Sequence, residues 1–471
     1  MLKGAMGDLK RFVAPSPTVL KFLIIGLMIR LLLSPFTSYP YDAYPFYGAV
    51  VGTLAGTGPY GNVLFTYPPL FSVIYYPLFW VVAQFVDPNS FGIFVPSMVE
   101  VSRATKMLVP FITSPTFNVV LKLPIILGDV LVGLSLYKIV EARKGSVSAE
   151  RVFLIWFLNP LVIFVSSVHG QFDVLAAYFA LIGVMSFMEK KYLLSGAFLG
   201  VGVLLKLFPA YLVISFGIIL LTSFIISLRG SRLGEALRPI SAFVAGGAIS
   251  LVVILPFLLN SNSFLDFILR RGTYSSVGGM NAWFLTPLLG AIAGGGGGSG
   301  EGIPFGLIIL VSGIAITVLV TLIIIWKAPV EGRPLYTALA VTTVVLATQS
   351  VTNPQHLIWL FPLMLVFYSS DGRMHHKMYI LSVLGLLYLL CLQSGLVFLY
   401  PLANYAGWPS VHMINQGIES FFIGTEMGRA IVMSVLGGLG FFVLLSVVTP
   451  PKWDPVERLI RKIVRRGALE D

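Results

Sequence analysis

The sequence predicts an all-α polytopic membrane protein, and three observations carry that expectation. Apolar residues make up 57% of the 471 and charged residues 11%, where a soluble domain carries about a quarter charged residues. Long runs such as KFLIIGLMIRLLL, PFGLIILVSGIAITVLVTLIIIW and GGLGFFVLLSVV belong to segments of the ~20-residue length that crosses a bilayer core. The basic residues, finally, gather in alternate loops. In chain order the spans fall near 18–36, 119–140, 152–168, 173–188, 191–206, 208–228, 240–259, 306–326, 335–352, 357–370, 378–400 and 430–449. The first is long and lacks a small-residue cleavage site, so it reads as a retained span rather than a signal peptide. The single cysteine, Cys391, excludes internal disulfides.

A formal charge of +11 could suggest nucleic acid, but its placement argues otherwise. The loops EARKG, EKK, RGSRLGEALR, KAPVEGR and DGRMHHK, together with both termini, hold roughly two thirds of the 31 Lys and Arg residues. Lysine and arginine concentrate on the cytoplasmic side. Both termini therefore face inward, and SYPYDAYPFY (38–47) faces out. The tail PVERLIRKIVRRG is expected to lie on anionic inner-leaflet lipids, each cation contributing about 1 kcal/mol, and no nucleic-acid partner is expected.

The chain reads as one transmembrane domain, 1–471. It comprises an external first loop (37–118), a helical module (119–228), C-terminal helices with external loops (229–449) and a basic cytoplasmic tail (450–471). Residues 69–86 are nearly long enough to span, yet a lone crossing there would turn every later basic loop outward. The expected solution is a large external loop carrying amphipathic helices on the membrane surface. An extra pair of spans, 69–86 and 91–112, would also keep the sidedness, although EVSRATK makes a poor lipid-facing helix.

The inner loops are short, so the chemistry is sought outside. Asp42 sits among Tyr41, Tyr44 and Tyr47, with Tyr67 downstream in GTGPYGNVLFTYPPLF. Aromatic rings suit sugar faces and equally an interfacial belt, and Asp42 could be a turn residue or a base. VHGQFD places His169, Gln171 and Asp173 at the outer end of a span. Asp173 is placed to cap the next helix, while His169 and Gln171 are polar groups that either act on substrate or solvate a helix end. Lys206 precedes Pro209 at another outer turn. Arg270 and Arg271 are suited to phosphate oxygens or to snorkelling toward lipid. VTNPQHLIWLFP adds Gln355 and His356, the latter either structural or catalytic. Asp129 lies inside a predicted span, where it is a functional candidate or a partner for Lys122 or Arg30. His375 and His376 read as solvated loop residues. No metal-binding Cys/His spacing, Walker loop, dinucleotide fingerprint or Gly-x-Ser-x-Gly elbow is present.

In order, the acid in the first external loop, GTGPYGNVLFTYPPLF, KLPIILGDVLVGL, LNPLVIFVSSVHGQFDVLAAYFALIGV with LSGAFLGVGVLLKLFPAYLV, and VTNPQHLIWLFPL resemble the GT-C superfamily of polyprenyl-phosphate-sugar-dependent glycosyltransferases. The likeness covers roughly residues 20–370. Its nearest branches are the bacterial and archaeal mannosyltransferases, with the catalytic subunit of GPI mannosyltransferase I and the dolichyl-phosphate-glucose-dependent enzymes more distant. The resemblance implies a GT-C fold of about 12 transmembrane helices and an active site at the external face. It also implies a polyprenyl or dolichyl phosphate sugar donor and a glycolipid or lipid-linked glycan acceptor. It carries the catalytic acid onto Asp42, a functional histidine onto His356, and carrier-phosphate contacts onto Arg270 or Arg271. Some branches have an Asp-x-Asp pair; here Pro40 stands two residues before Asp42, which weakens the case for a divalent metal, and no other cofactor is implied. The main rival is a transporter or flippase for a lipid-linked sugar, which should place ionisable groups at mid-membrane and show repeat symmetry. A structural scaffold and a transferase acting on protein side chains are further alternatives.

Overall fold

The computed structural model describes residues 16–61, 65–95, 111–228, 233–260, 278–292, 305–327, 333–369, 372–392, 397–422, 425–449, 453–454 and 456. These residues are helical almost throughout. Six helical segments are long and apolar enough to cross a membrane: Pro17–Phe36, Pro115–Lys144, Pro209–Ser227, Leu233–Phe257, Met374–Leu392 and Met427–Ser446. A bent pair, Ser146–Phe157 with Pro160–His169, brings the number to as many as seven. Other expected spans are helices of lesser length. Asp173–Met188 has 16 residues and Tyr192–Val203 has 12. At 1.5 Å per residue the latter is about 18 Å long, well short of a ~30 Å hydrocarbon core.

The first helix, α1 (Pro17–Leu33), is started by Ser16, whose hydroxyl accepts from Val19 N–H, with Pro17 at the first position. Helix α2 (Pro40–Leu54) carries Asp42. Helix α3 (Leu70–Val82) has 13 residues and cannot cross alone. Strands β1 (Gly92–Phe94) and β2 (Phe111–Thr113) then pair antiparallel, with Gly92 opposite Thr113. The pairing brings residues 92–94 and 111–113 side by side; the expected alternative of a span over 91–112 falls mostly on residues outside the described ones.

Helix α4 (Pro115–Lys144) runs 30 residues from a Ser114 cap to Gly145, whose φ is 81°. Helix α5 (Ser146–Phe157) ends before LNPL. Pro160 disfavours a helical conformation at the preceding residue, and Asn159 is indeed extended while its Oδ1 caps Leu161 N–H at 2.9 Å. The result is a 46° bend. The short α6 (Pro160–Ile163) widens into a π turn over Phe164–His169. Helices α7 (Asp173–Met188) and α8 (Tyr192–Val203) form a tight hairpin, followed by α9 (Pro209–Ser227) and α10 (Leu233–Leu251). Later helices include α11 (Arg333–Thr348), α12 (Leu357–Phe367) and α13 (Gly372–Leu392). His375, expected to be solvated, is buried on α13, whereas His376 is exposed.

Two of the buried cations, Arg30 and Lys122, lie between the first helices and the helix that follows the β1–β2 pair. Arg30 Nε donates to Asp129 Oδ2 at 2.7 Å and its guanidinium lies 4.2 Å from the Phe157 ring centre, while Trp156 Nε1 donates to the Asp129 carbonyl. Of the two candidate partners, Asp129 has therefore taken Arg30. Lys122 serves a different purpose, tying the chain before Asp42 to the turn that carries His169.

Candidate active site

The start of helix α2 sets the place of Asp42. Pro40 occupies the first turn, where its missing N–H is not needed, after an extended Tyr39 (φ −99°, ψ 106°). Asp42 falls in that same turn, where free N–H groups favour a negative charge. Its Oδ2 lies 2.6 Å from His169 Nε2, and the Tyr67 hydroxyl donates to its Oδ1 at 3.4 Å. The histidine side chain is 1% exposed and the carboxylate 14%. One edge of Asp42 is open while its partner is sealed.

His169 ends the π turn, and Gly170 reverses the chain with φ 84°. π bulges recur at functional sites, and here the extra residue turns the imidazole toward α2. Lys122 braces both segments: its Nζ donates to the carbonyls of Ser34 (3.0 Å), Thr37 (2.5 Å) and Ser167 (2.8 Å). A Cβ at position 170 would sit 3.2 Å from Lys122 Cε. Tyr39 N–H donates to the His169 carbonyl, and the Tyr39 ring meets the imidazole edge-on at 4.6 Å while stacking on Phe398 at 5.1 Å.

Hydrogen bonds continue outward from Asp42. Gln171 Nε2 donates to the Tyr67 hydroxyl at 3.1 Å, and Lys206 Nζ donates to Gln171 Oε1 at 3.2 Å. Lys206 also faces Asp173 Oδ2 at 3.3 Å and lies over the rings of Tyr67 and Phe172, 4.5 and 4.8 Å from their centres. Trp359 Nε1 donates to Asp173 Oδ1 at 2.7 Å. Its indole stacks on Phe208 at 4.3 Å and on His356 at 4.4 Å, and His356 Nδ1 lies 3.3 Å from Gln349 Nε2. Asp42, Tyr67, His169, Gln171, Lys206, Asp173 and His356, drawn from five separate stretches of sequence, thus share one connected cluster. Burial pushes the Asp42 carboxyl up, but the hydrogen bond and charge of His169, the Gln171 hydrogen bond and the Lys206 charge outweigh it. The group is held below its ordinary value of 3.8.

Not every expected residue joins. Asp173 does not cap α7: the cap position is Phe172 and no side chain serves there. With Trp359 and Lys206 at hand, its carboxylate is turned into the protein instead. Tyr44 packs on Phe94 and Phe111, and Tyr47 on Phe111 and Phe117, on the side of α2 that faces the β1–β2 pair. Tyr41 is half-exposed, its ring 6.3 Å from that of Tyr39. Gln355 is buried, and its Oε1 has no hydrogen-bond partner among the described residues. Arg270 and Arg271 lie outside the described residues. The chain re-enters at Gly278, and Gly278–Gly279 pairs in parallel with Val351–Thr352 beside the turn that bears His356.

Trp359 and Gln349 are the residues that sequence reasoning missed, and Tyr39, one of the tyrosines flanking Asp42, packs on His169. Trp359 stands three residues after His356, the spacing of one helical face, so that signal was available. Nothing in the sequence marks Gln349. Among the described residues no three His, Cys, Asp or Glu side chains gather as a metal ion would require.

The model of glycosyltransferase family 87 matches residues 104–351. The chain belongs to glycosyltransferase family 87, a family of the GT-C type. No curated protein matches it. The family 87 match takes in His169, Gln171, Asp173, Lys206 and Gln349. It begins after Asp42 and Tyr67 and ends before His356 and Trp359, so the shared segment supplies the middle of the cluster and the flanking chain its two ends.

Proposed function

We propose that this glycosyltransferase moves a hexose, mannose in the first instance, from a polyprenyl or dolichyl phosphate carrier to a hydroxyl of a glycolipid or lipid-linked glycan. The external membrane face is supported by the distribution of Lys and Arg. The observation that carries the reading is the part-exposed Asp42 carboxylate held by a sealed His169. Asp42 accepts the proton of the acceptor hydroxyl as that oxygen bonds to the anomeric carbon. The bond from that carbon to the phosphate oxygen breaks, and its electron pair leaves on the polyprenyl phosphate. A carboxylate below the usual range is a weak base, which suits a reaction whose leaving group is already good, because the proton moves late. Asp173, the other acid of the cluster, is fully buried and faces Trp359 and Lys206. With one accessible carboxylate among the described residues of the cluster, a single displacement with inversion is favoured over the two-carboxylate retaining route.

Purified protein given a panel of polyprenyl-phosphate hexoses with extracted native glycolipids should add one hexose by mass. Transfer from nucleotide sugars alone would overturn the assignment of donor. The described cluster sets Lys206 against two carboxylates, so it holds no surplus positive charge for a departing phosphate. Arg270 and Arg271 take that part in this reading. Replacing both by alanine should raise KM for the carrier-linked sugar by about tenfold or more while leaving KM for the acceptor in place. An unchanged donor KM would remove them from the site.

A further inference from the structure

The turn between α7 and α8 borders an open depression of about 410 Å³ lined by Lys190, Lys191, Tyr192, Leu193, Leu194 and, from α10, Arg238. It stands at the far end of the molecule from the catalytic cluster. Helix α7 begins at Asp173 and runs 16 residues to the pocket, about 24 Å, and α8 returns from the pocket toward Lys206. The walls are fixed, because α8 and α10 touch backbone to backbone: a Cβ at Gly196 would strike the Phe243 carbonyl, and one at Gly246 the Leu193 carbonyl. Lys190 is held at φ 59°, the one non-glycine residue with positive φ among the described residues.

The charge at this pocket is unbalanced. Lys191 pairs with Glu189 at 2.6 Å, whereas Lys190 and Arg238 make no ion pair among the described residues. Below the cations the rim is apolar, with Leu193, Leu194 and Val244 all well exposed on the two helices. A small soluble anion would use the cations and leave that rim bare. An amphiphile with an anionic head and a hydrocarbon chain satisfies both parts.

We propose that this pocket is a binding site for the phosphate headgroup of an anionic phospholipid, with Lys190 and Arg238 on the phosphate and an acyl chain along Leu193, Leu194 and Val244. It lies at the other end of α7 from the catalytic cluster and does not depend on which sugar or acceptor that acid serves. A bare belt of interfacial lysines would attract the same lipid without a pocket, and a charge-matched control separates the two cases. Arg143 and Lys144, both exposed in the last turn of α4, lie at this same end of the molecule.

The test is native mass spectrometry of the detergent-purified full chain titrated with phosphatidylglycerol. The double variant Lys190→Gln/Arg238→Gln should bind the first lipid at least about tenfold more weakly than the parent, given about 1 kcal/mol per cation at a charged lipid surface. Arg143→Gln/Lys144→Gln should bind it like the parent. Equal weakening in both doubles would overturn the proposal in favour of a general belt. Competition by millimolar inorganic phosphate as effective as that by phosphatidylglycerol would overturn the lipid assignment. Size-exclusion elution and helical circular dichroism establish that each variant is folded. If Lys190→Gln/Arg238→Gln fails to fold, the same comparison with Arg238→Lys applies: retained charge without the planar fork should weaken the first lipid measurably, and no change would count against the site.

Discussion

Two acid–base pairs in this molecule have nearly the same separation and different surroundings. Arg30 and Asp129 meet at 2.7 Å with side chains 0% and 1% exposed; His169 and Asp42 meet at 2.6 Å with side chains 1% and 14% exposed. The first carboxylate is enclosed by Arg30 and the Trp156–Phe157 aromatics, and it joins α1 to α4 inside the helical bundle. The second sits in the first turn of α2, held by His169 and Tyr67 and still part-exposed. Distance alone would make both equally good candidates. Access separates a strut from a reagent, and it also bears on the transporter reading, since Arg30 and Asp129 were the mid-membrane groups such a protein would need to move.

The largest effects should divide the two pairs cleanly. Asp42→Asn keeps the size of the side chain and should lower transfer by ~10²–10⁴-fold, the contribution of a positioned base, with a melting temperature lowered far less than by Asp129→Asn. Asp129→Asn should do the reverse. Removing one member of a buried ion pair costs about 3–5 kcal/mol, visible as a lower melting temperature and a reduced yield of folded protein, with turnover per folded molecule retained. The double change Arg30→Met/Asp129→Leu, which removes both charges, should recover much of that stability. Full transfer by Asp42→Asn would sink its role as base. A stable Asp129→Asn with lost turnover would move Asp129 from strut to reagent.

Much of this contrast was legible in the sequence, and the reason is local. The span pattern follows from hydropathy, the bend at Asn159–Pro160 from proline chemistry, and the importance of SYPYDAYPFY and VHGQFD from polar residues at the ends of apolar runs. Helix length was harder to read, because α7 and α8 are as apolar as true spans and only the turns at Lys190 and Lys206 show how short they are. The roles within the cluster were harder still. Asp173 looked like a helix cap because its position fits one, yet its partner is Trp359, 186 residues away in sequence. Tyr44 and Tyr47 looked equivalent to Tyr67, but helical geometry turns them toward Phe111 and Phe117. Partners distant in sequence leave no periodic trace, so no reading of one chain could have ranked them.

A pH profile sharpens the comparison at the next level. His169 supplies the leading influences that lower Asp42, against burial that raises it. In the parent, the acidic limb of kcat/KM should fall below 3.8, the ordinary value. Stability follows the same sign: the ionised Asp42 contributes fully above that value, and the contribution is lost as pH falls through the lower value of the folded state. His169→Leu removes the hydrogen bond and the charge together, leaving burial dominant. The limb should move to higher pH, and kcat/KM at neutral pH should drop about ten- to a hundredfold, as expected for losing a hydrogen bond to a charged group. A limb that stays in place would mean that the titrating group is not Asp42.

The smallest effect on turnover is expected at Trp359, and it tests whether the cluster acts as one unit or as two. Trp359→Phe keeps a ring that can stack on Phe208 and His356 but removes the N–H that donates to Asp173 Oδ1. Asp173 still faces Lys206, so the change leaves one carboxylate oxygen without a donor and should cost about 1–3 kcal/mol of stability. Asp42 and His169 are separated from that oxygen by Lys206, Gln171 and Tyr67 in turn, and each of those links has a second partner holding it: ring faces for Lys206, the Asp42 carboxylate for Gln171 and Tyr67. If the links are held independently, kcat should change by less than about threefold and the acidic limb should not move. A large fall in kcat with a shifted limb would show that Asp173 and Trp359 set the ionisation of Asp42 through the whole chain of hydrogen bonds, and that the sealed and open ends of this cluster cannot be altered separately.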